Sequence, residues 1–392
     1  MKLLLYSHYF APSIGGVETI VQSLASGLAE LRSKEGTREF SVTLVTQTPR
    51  ENFDDAALPF SVVRQPRLLE LTKLVREADV LHLAGPALLP LILGMLARKP
   101  VVVEHHGFQV ICPTGQLLIE SKGEPCPGHF MAGRRAECWK CDPALGWLGA
   151  KRLWLLTFVR RWLCTRVRSN VMPTNWLREQ LRLPRDTTIH HGLVPLRPAP
   201  ETEVSSLDVP VIAFQGRLVS TKGAEILLEA AKALLAEGRE FRIVIVGDGP
   251  ERVRLEAQAN QAPLTGRVQF TGRVAPAELE TVLGGATAVV VPSLGGEVFG
   301  MVVAENMLRG LPVIASDLGS FVEVLGETGE TFQKGSAGEL ARKLREVVWP
   351  PTSQRTTRDA ARTRAELEFS LQKMTMAHAA LYWRVTGDRD SP

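Results

Sequence analysis

Residues 288–305 read AVVVPSLGGEVFGMVVAE. A short β-branched run leads through a proline and three glycines into a helical pattern that begins at Met301. This order predicts a buried strand that passes through a turn into a helix. Two carboxylates, Glu297 and Glu305, bracket the turn with seven residues between them. A glycine turn entering a helix presents unpaired backbone N–H groups and the positive end of the helix dipole. Phe299, Gly300, Met301 and Val302 are therefore a candidate cradle for a diphosphate. Glu305, one turn into the helix, is placed to accept hydrogen bonds from both hydroxyls of a ribose. Glu297, ahead of the helix, faces whatever is attached beyond the phosphate. Either glutamate alone would read as a solvated side chain.

The same strand, turn and helix unit recurs on both sides of this stretch. Strands are expected over 209–214, 241–246, 268–271 and 312–315 in the second half, and over 2–6, 41–46, 80–83 and 100–104 in the first. A helix at 17–31 is the clearest in the first half. Such alternation predicts an α/β chain with parallel sheets. Its 392 residues exceed what one core usually organises. Pro195, Pro198, Pro200 and Pro210 mark 195–210 as a linker. The expected domains are 1–196 and 197–365. A helical stretch at 366–384 follows, and the segment 366–392 is a candidate to pack back on the first domain.

Composition narrows the class. With 45% apolar and 22% charged residues the chain is globular, not disordered. The net charge of +4 is too small for a dedicated nucleic-acid binder. Residues 1–196 carry 24 basic and 17 acidic side chains, so the positive excess sits in the first half. Five cysteines are a sparse, odd set that favours a reduced, cytoplasmic setting. Residues 80–97 are uncharged and just long enough to suggest a membrane span. Gly85, Pro86 and Pro90 argue instead for a strand end, a turn and a buried helix over 86–97.

Further candidate residues lie on the turns. Gly216, Arg217 and Leu218 are followed by Lys222 and Gly223, so two cations converge on the loop after one strand. Arginine grips phosphate oxygens bidentately and lysine adds a point charge, a pairing suited to neutralising a diphosphate leaving group. Gly247, Asp248, Gly249 and Pro250 end the next strand. As a dinucleotide fingerprint this turn is incomplete, because Arg252 stands where a third glycine belongs. Near the N-terminus, Gly15 and Gly16 precede a helix and permit close approach of backbone to a ligand.

Together these segments resemble glycosyltransferase family 4, the retaining, nucleotide-sugar-dependent enzymes of the GT-B fold. The resemblance runs in order through Gly-Gly-Val-Glu at 15–18, Gly-Arg-Leu and Lys-Gly within 216–223, Val-Gly-Asp-Gly-Pro at 246–250, Phe-Thr-Gly at 270–272, the glutamate pair, and Gly-Leu-Pro-Val-Ile-Ala-Ser-Asp at 310–317. It implies two Rossmann-like domains facing a central cleft, with a UDP- or GDP-linked sugar as donor and a glycan or lipid-linked acceptor. Gly15 and Gly16 would approach the donor from the first domain. Arg217 and Lys222 would hold its diphosphate, Glu297 would contact its sugar and Glu305 its ribose, and the backbone near Val274 would border its base. A family histidine falls on His106, the second of a pair with His105. The chain departs from the family at Val298, where glycine is usual, and at His191, where asparagine is expected. Retention through a front-face route, with no metal required, is what the resemblance implies. The rival readings are a nucleotide-dependent oxidoreductase and a non-catalytic binding subunit.

Two features stand outside that frame. Cys112, Cys126, Cys138 and Cys141 are able to close a tetrahedral zinc site, although intervals of 13, 11 and 2 residues are no standard zinc spacing and buried thiols are common. Residues 146–178 carry Lys151, Arg152, Arg160, Arg161, Arg166, Arg168 and Arg178 with no acid. Trp147, Trp154, Trp162 and Trp176 are interleaved among them. That composition suits an anionic membrane surface, or else a buried crossover helix with a basic rim. No RNA-binding motif accompanies it.

Overall fold

The structure is a computed structural model that describes residues 1–13, 15–33, 35–196, 209–349 and 354–387. Most of the expected linker, including Pro198 and Pro200, lies outside the described residues. The chain divides into two compact units. The first comprises Met1–Leu117, Cys126–Val194 and Phe369–Pro392, and the second Leu118–Pro125 and Pro195–Glu368.

The first unit contains, in chain order, β1 (Lys2–Ser7), α1 (Gly16–Glu30), β2 (Ser41–Thr46), β3 (Ser61–Arg64), α2 (Leu68–Glu77), β4 (Val80–Ala84), α3 (Leu88–Leu96) and β5 (Val101–Glu104). A hairpin of two-residue strands, β6 (Leu118–Ile119) and β7 (Glu124–Pro125), falls to the second unit, and the first resumes with α4 (Arg135–Lys140), α5 (Gly146–Cys164), β8 (Ser169–Met172), α6 (Asn175–Leu181) and β9 (Asp186–Thr188). Seven parallel strands lie in the order β3-β2-β1-β4-β5-β8-β9. Helices cover a parallel sheet on both faces, so its central strands are continuously apolar. Leu3, Leu4 and Leu5 of β1 are all buried. The α1 stripe of Ile20, Val21, Leu24, Ala25 and Leu28 is buried at helical spacing.

Strands β3, β8 and β9 are not marked by an apolar run. In β8 the polar Ser169 and Asn170 are buried, and Asn170 is satisfied by donating to the carbonyls of Cys164 (2.9 Å) and Pro184 (2.8 Å). The helix expected over 86–97 is α3. No helix among the described residues is long and apolar enough to cross a membrane.

The second unit contains β10 (Val211–Gln215), α7 (Ala224–Ala236), β11 (Arg242–Val246), α8 (Arg252–Ala259), β12 (Val268–Gly272), α9 (Pro276–Gly284) and β13 (Ala288–Val291). It continues through α10 (Met301–Leu308), β14 (Val313–Ser316), α11 (Gly319–Leu325), β15 (Glu330–Phe332), α12 (Ala337–Val348) and α13 (Gln354–Glu368). Its parallel strands run β12-β11-β10-β13-β14-β15. The chain works outward from β10 to β12, then returns to lay β13 on the other side. The switch point, where ligands enter open α/β sheets, thus falls between β10 and β13. Leu227, Leu228, Ala231 and Leu234 of α7 pack in one core with Ile243, Val290, Leu340 and Leu344.

The expected single helix over 366–384 is instead broken. Helix α13 ends at Glu368, and α14 (Leu371–Thr386) starts afresh with Ser370 as N-cap, its hydroxyl accepting from the Lys373 N–H at 3.3 Å. The break is held from both sides by Leu193, whose N–H donates to the Phe369 carbonyl (2.7 Å) and whose carbonyl accepts from the Leu371 N–H (3.2 Å). From there α14 lies against α1, where a Cβ on Gly27 would stand 2.4 Å from the Thr375 hydroxyl.

At the carboxyl edge of the second sheet, backbone meets backbone. A Cβ on Gly247, whose φ is +137°, would stand 1.9 Å from the Gly216 carbonyl oxygen. Replacing Gly247 by alanine is expected to destabilise the unit by about 2 kcal/mol or more, through overpacking against rigid backbone added to positive-φ strain. Gly238, with φ +76° and open space around it, is the control. Its alanine variant is expected to lose less. Thermal-unfolding midpoints of the two variants check the difference, and equal losses would refute the contact.

Candidate functional site

The second-unit site is built on three loops that leave β10, β11 and β13. After β10 the Leu218 N–H donates to the Asp248 carbonyl (3.0 Å), and the Leu218 carbonyl accepts from the Glu251 N–H (3.0 Å). The loop carrying Arg217 is thereby pinned on the Gly247–Pro250 turn, and the Arg217 side chain stays exposed. Gly247 also donates to the Gly272 carbonyl at 2.9 Å, which ties in the end of β12. Val274, partly exposed, follows two residues later.

Lys222 ends a 3-10 turn, Ser220–Lys222, and Gly223 begins α7 at φ +64°. A Cβ on Gly223 would stand 2.1 Å from the Pro292 carbonyl, so the loop lies directly on the exit from β13. A hydrogen bond from the Leu294 N–H to the Thr221 carbonyl (2.8 Å) locks the two loops together. Their approach brings Lys222 Nζ into an ion pair with Glu297 Oε1, and Ser293 Oγ donates to the same oxygen at 3.1 Å. The Glu297 carbonyl in turn accepts from Ser320 Oγ (3.1 Å).

Between Glu297 and α10, Val298 and Phe299 are buried as anchors. Gly300 caps the helix at φ +99° with no side-chain cap, and the Phe321 ring leaves no room for a Cβ there. The first N–H groups of α10, those of Met301 and Val302, have no intrahelical acceptor. One turn on, Glu305 Oε2 accepts from Gln215 Nε2 (3.3 Å) and lies 3.9 Å from Arg309. Asn306 Nδ2 donates to Gln215 Oε1 at 3.0 Å, which fixes the amide's orientation. Burial pushes the Glu305 carboxyl up, against the pull of Arg309 and the Gln215 bond. Lys222, Glu297 and the start of α10 thus meet at the β10/β13 switch point, with Glu305 attached through Gln215. Gln215, Ser293 and Asn306 carry no motif of their own, and only their neighbours in the fold single them out.

In the first unit, Gly15 is the extended N-cap of α1 and Gly16 its exposed first residue. The Glu18 carboxylate folds back over Gly15. His106 follows β5 and is not solitary. Glu104, buried at the end of β5, has four imidazoles around its carboxylate. His82 Nε2 lies at 3.1 Å, His191 Nε2 at 3.4 Å, His378 Nε2 at 3.6 Å and His106 Nε2 at 3.7 Å. The buried Tyr382 hydroxyl lies 2.8 Å from His82 Nδ1. With Nε2–H of His82 donated to the carboxylate, Nδ1 accepts the phenolic proton. The rings of His106 and His191 stack at 5.2 Å. His191, noted in the sequence only as a departure from asparagine, is thus a partner of His106. His105 turns away, its Nε2 bonded to Asn170 Oδ1 at 3.0 Å.

The triads His82–Glu104–His378 and Glu104–His106–His191 each gather ligand-type atoms within 4.8 Å. In the first, His82 Nε2 is hydrogen-bonded to Glu104 and His378 Nδ1 to the Met374 carbonyl. Burial alone would raise the Glu104 carboxyl, but His106, His191, His378 and His82 outweigh it and hold the group well below the usual carboxylate range. Burial pushes the His106 imidazole down to about 3 and that of His105 to about 4, against the opposing pull of Glu104 and, for His105, Asn170. The four cysteines expected as a zinc alternative line one small cavity in this unit.

Residues 199–364 match the family described as glycosyl transferases group 1. A stretch of 180 residues is 33% identical to the 2-deoxystreptamine glucosyltransferase of Streptomyces kanamyceticus, covering 45% of this chain and 46% of that protein. Another, of 136 residues, is 36% identical to the phosphatidyl-myo-inositol mannosyltransferase of Mycobacterium leprae (strain TN), covering 34% of this chain and 36% of that one. The chain spans about half the length, or less, of these curated relatives. Among solved structures, Anabaena HepE in complex with UDP and glucose superimposes with a TM-score of 0.72 at 18% identity, over 97% of this chain and 99% of that one. Sucrose-phosphate synthase of Thermosynechococcus elongatus superimposes with a TM-score of 0.69 at 20% identity, over 98% of this chain and 99% of that one. The fold is GT-B, with two Rossmann-like halves.

The buried cluster makes stability depend on pH. His105 and His106 titrate near 4 and 3 in the fold against 6.5 when unfolded, so the unfolded chain binds more protons below pH 6.5. Stability is complete above that value and falls as pH drops toward 3. Glu104, held below its ordinary 4.5, adds a loss of the same sign at lower pH. Between pH 6.5 and 5 the expected loss is about 2 kcal/mol per imidazole. Urea unfolding at pH 8, 6.5 and 5 checks it, and a midpoint unchanged over that range would contradict the assignment.

Proposed function

We propose that the protein is a retaining glycosyltransferase that moves a hexosyl group from a UDP- or GDP-linked donor to a hydroxyl of a glycan or lipid-linked acceptor. The observation that carries this reading is the meeting of Lys222, Glu297 and the open N-terminus of α10 at the switch point of the second sheet. The group 1 match over the same half supports it, as does the structure of HepE with UDP and glucose.

In this reading the donor diphosphate lies against the N–H groups of Phe299, Gly300, Met301 and Val302, with Arg217 and Lys222 as its counter-charges. Glu297, released from Lys222 when phosphate takes its place, accepts from hydroxyls of the donor sugar. Glu305 receives the ribose hydroxyls and the Val274 backbone borders the base. Gly15 and Gly16 are donor-binding residues of the first unit, and His106 is its acceptor-side residue. The bond from the anomeric carbon to the phosphate oxygen breaks as the acceptor oxygen bonds to that carbon on the same face. The acceptor proton passes to the departing phosphate, and the nucleoside diphosphate leaves. Arg217 and Lys222 stabilise the charge that grows on the leaving group.

The acceptor reading draws on α5. Trp147, Leu148, Leu155 and Trp162 are exposed along this helix. Lys151 Nζ sits 3.6 Å over the Trp147 ring, and the Arg166 guanidinium 3.7 Å over that of Trp162. Exposed indole beside cations, with no acid in 146–178, matches the interface of an anionic bilayer and supports a lipid-linked acceptor reached at a membrane surface.

Two measurements follow. A panel of UDP- and GDP-sugars is expected to contain one donor that raises the melting temperature and is consumed, with kcat reduced about 100-fold or more in Arg217→Ala, Lys222→Ala and Glu297→Ala. No stabilising donor, or wild-type turnover in all three variants, overturns the function. Flotation with phosphatidylglycerol vesicles is expected to carry the protein, and neutral phosphatidylcholine vesicles are not. Equal behaviour on the two, or no loss on Leu148→Ser with Trp162→Ser, removes the membrane surface.

A further inference from the structure

The segment between β5 and α5, residues 105–145, is about forty residues long and contains only the two-residue strands β6 and β7, the six-residue helix α4 and one short 3-10 turn. Loops of this length without their own regular structure are uncommon in compact domains and need something else to hold them. It leaves the carboxyl end of a central strand, β5, where loops shape ligand sites in parallel sheets. Within it Cys112, Cys126, Cys138 and Cys141 come from four separate points and line a single cavity with Ile111, Leu117, His129 and Phe130. Cys138 lies in the last turn of α4 and Cys141 is its C-cap, so the i,i+3 spacing sets both on one side of the helix. Cys112, Cys138 and Cys141 are buried, and none of the five cysteines is in a disulfide.

The cavity measures about 10 Å³. That is room for one small sphere. Its walls are mostly thiol and hydrocarbon, whereas a lone buried water needs two to four polar partners. All four cysteines line this one space. A soft divalent cation suits such walls, because coordination deprotonates thiols outright and the charge of the ion then holds the thiolates.

We propose that Cys112, Cys126, Cys138 and Cys141 bind one structural zinc ion as a tetrahedral tetrathiolate that ties together the stretches 105–117 and 126–145 of the first unit. A closed set of four sulfurs suits zinc in a structural role, with no open position for chemistry. Each thiol gives up its proton to solvent as the ion enters, and no electron moves. His129, though it lines the cavity, is not a ligand in this assignment. Cys164, buried at the end of α5 and absent from the cavity lining, is a built-in control.

The test uses the full chain, purified with reductant from zinc-supplemented culture, and does not involve glycosyl transfer. Elemental analysis is expected to find one zinc per chain. Cobalt(II) exchanged into the site is expected to give the ligand-field and thiolate charge-transfer bands of a tetrahedral tetrathiolate. Cys138→Ser is expected to lose the metal and to become cleavable by protease within 105–145, while Cys164→Ser and His129→Ala keep it. Should Cys138→Ser fail to fold, the wild-type metal content and cobalt spectrum still decide. Folded wild type with no metal, with iron in place of zinc, or with disulfides among these four cysteines overturns the proposal. So does a cobalt spectrum of mixed nitrogen and sulfur coordination.

Discussion

At the carboxyl edge of the second sheet, three loops touch through bare backbone. The Gly247 Cα faces the Gly216 carbonyl, Gly223 faces the Pro292 carbonyl, and a Cβ at either glycine would fall about 2 Å from an oxygen. These approaches draw the exits of β10, β11 and β13 together, and Arg217, Lys222 and Glu297 are all carried on those loops. Lys222 reaches Glu297 across 75 positions of sequence because Gly223, next to it, has no side chain to hold its loop off the Pro292 carbonyl. Overpacking against a carbonyl is costly because the neighbour is main chain and cannot rotate away. The glycines therefore act on the site through geometry, not through contact with a ligand.

Electrostatics in the first unit follows a different logic. Glu104 is a carboxylate removed from water, a state that costs several kcal/mol unless donors surround it. His82, with the Tyr382 hydroxyl behind it, supplies one such donor at 3.1 Å, and the imidazoles of His191, His378 and His106 stand around the carboxylate at 3.4, 3.6 and 3.7 Å. Two of these groups, His378 and Tyr382, lie on α14, so the last helix is bound into the first sheet by polar contacts as well as by its packing on α1. His106 inherits its environment from that network. Its nearest charged neighbour is Glu104, and its ring is stacked on His191.

The units that carry the second-unit candidates were legible in the sequence, because each is a contiguous strand, turn and helix whose glycine, charge and hydrophobic pattern can be read in one window. Gly300 and Glu305 are such cases. The Glu104 cluster was not legible. Its members come from β4, from the end of β5 and His106 beyond it, from the loop after β9 and from α14, and Glu104 itself reads as the polar end of a strand. The cysteines fall between the two. Their number and the CxxC pair were visible, but intervals of 13 and 11 residues match no standard pattern, and only the folded loop brings them to one cavity. The break at Phe369 and Ser370 was missed for a similar reason, since a helical pattern continues across it while Leu193, far away in sequence, holds it open.

By itself the sequence determined the α/β alternation, the parallel strands, the glycine turns and the charged residues placed on them. All of these follow from side-chain spacing and backbone conformation over a few neighbouring residues. Tertiary structure alone decided which side chains meet: Lys222 with Glu297, Glu305 with Gln215, four histidines with Glu104, four cysteines around one cavity. Those meetings depend on strand order and on how closely distant loops can approach, and both are set by packing across the whole sheet, which no local window of residues contains.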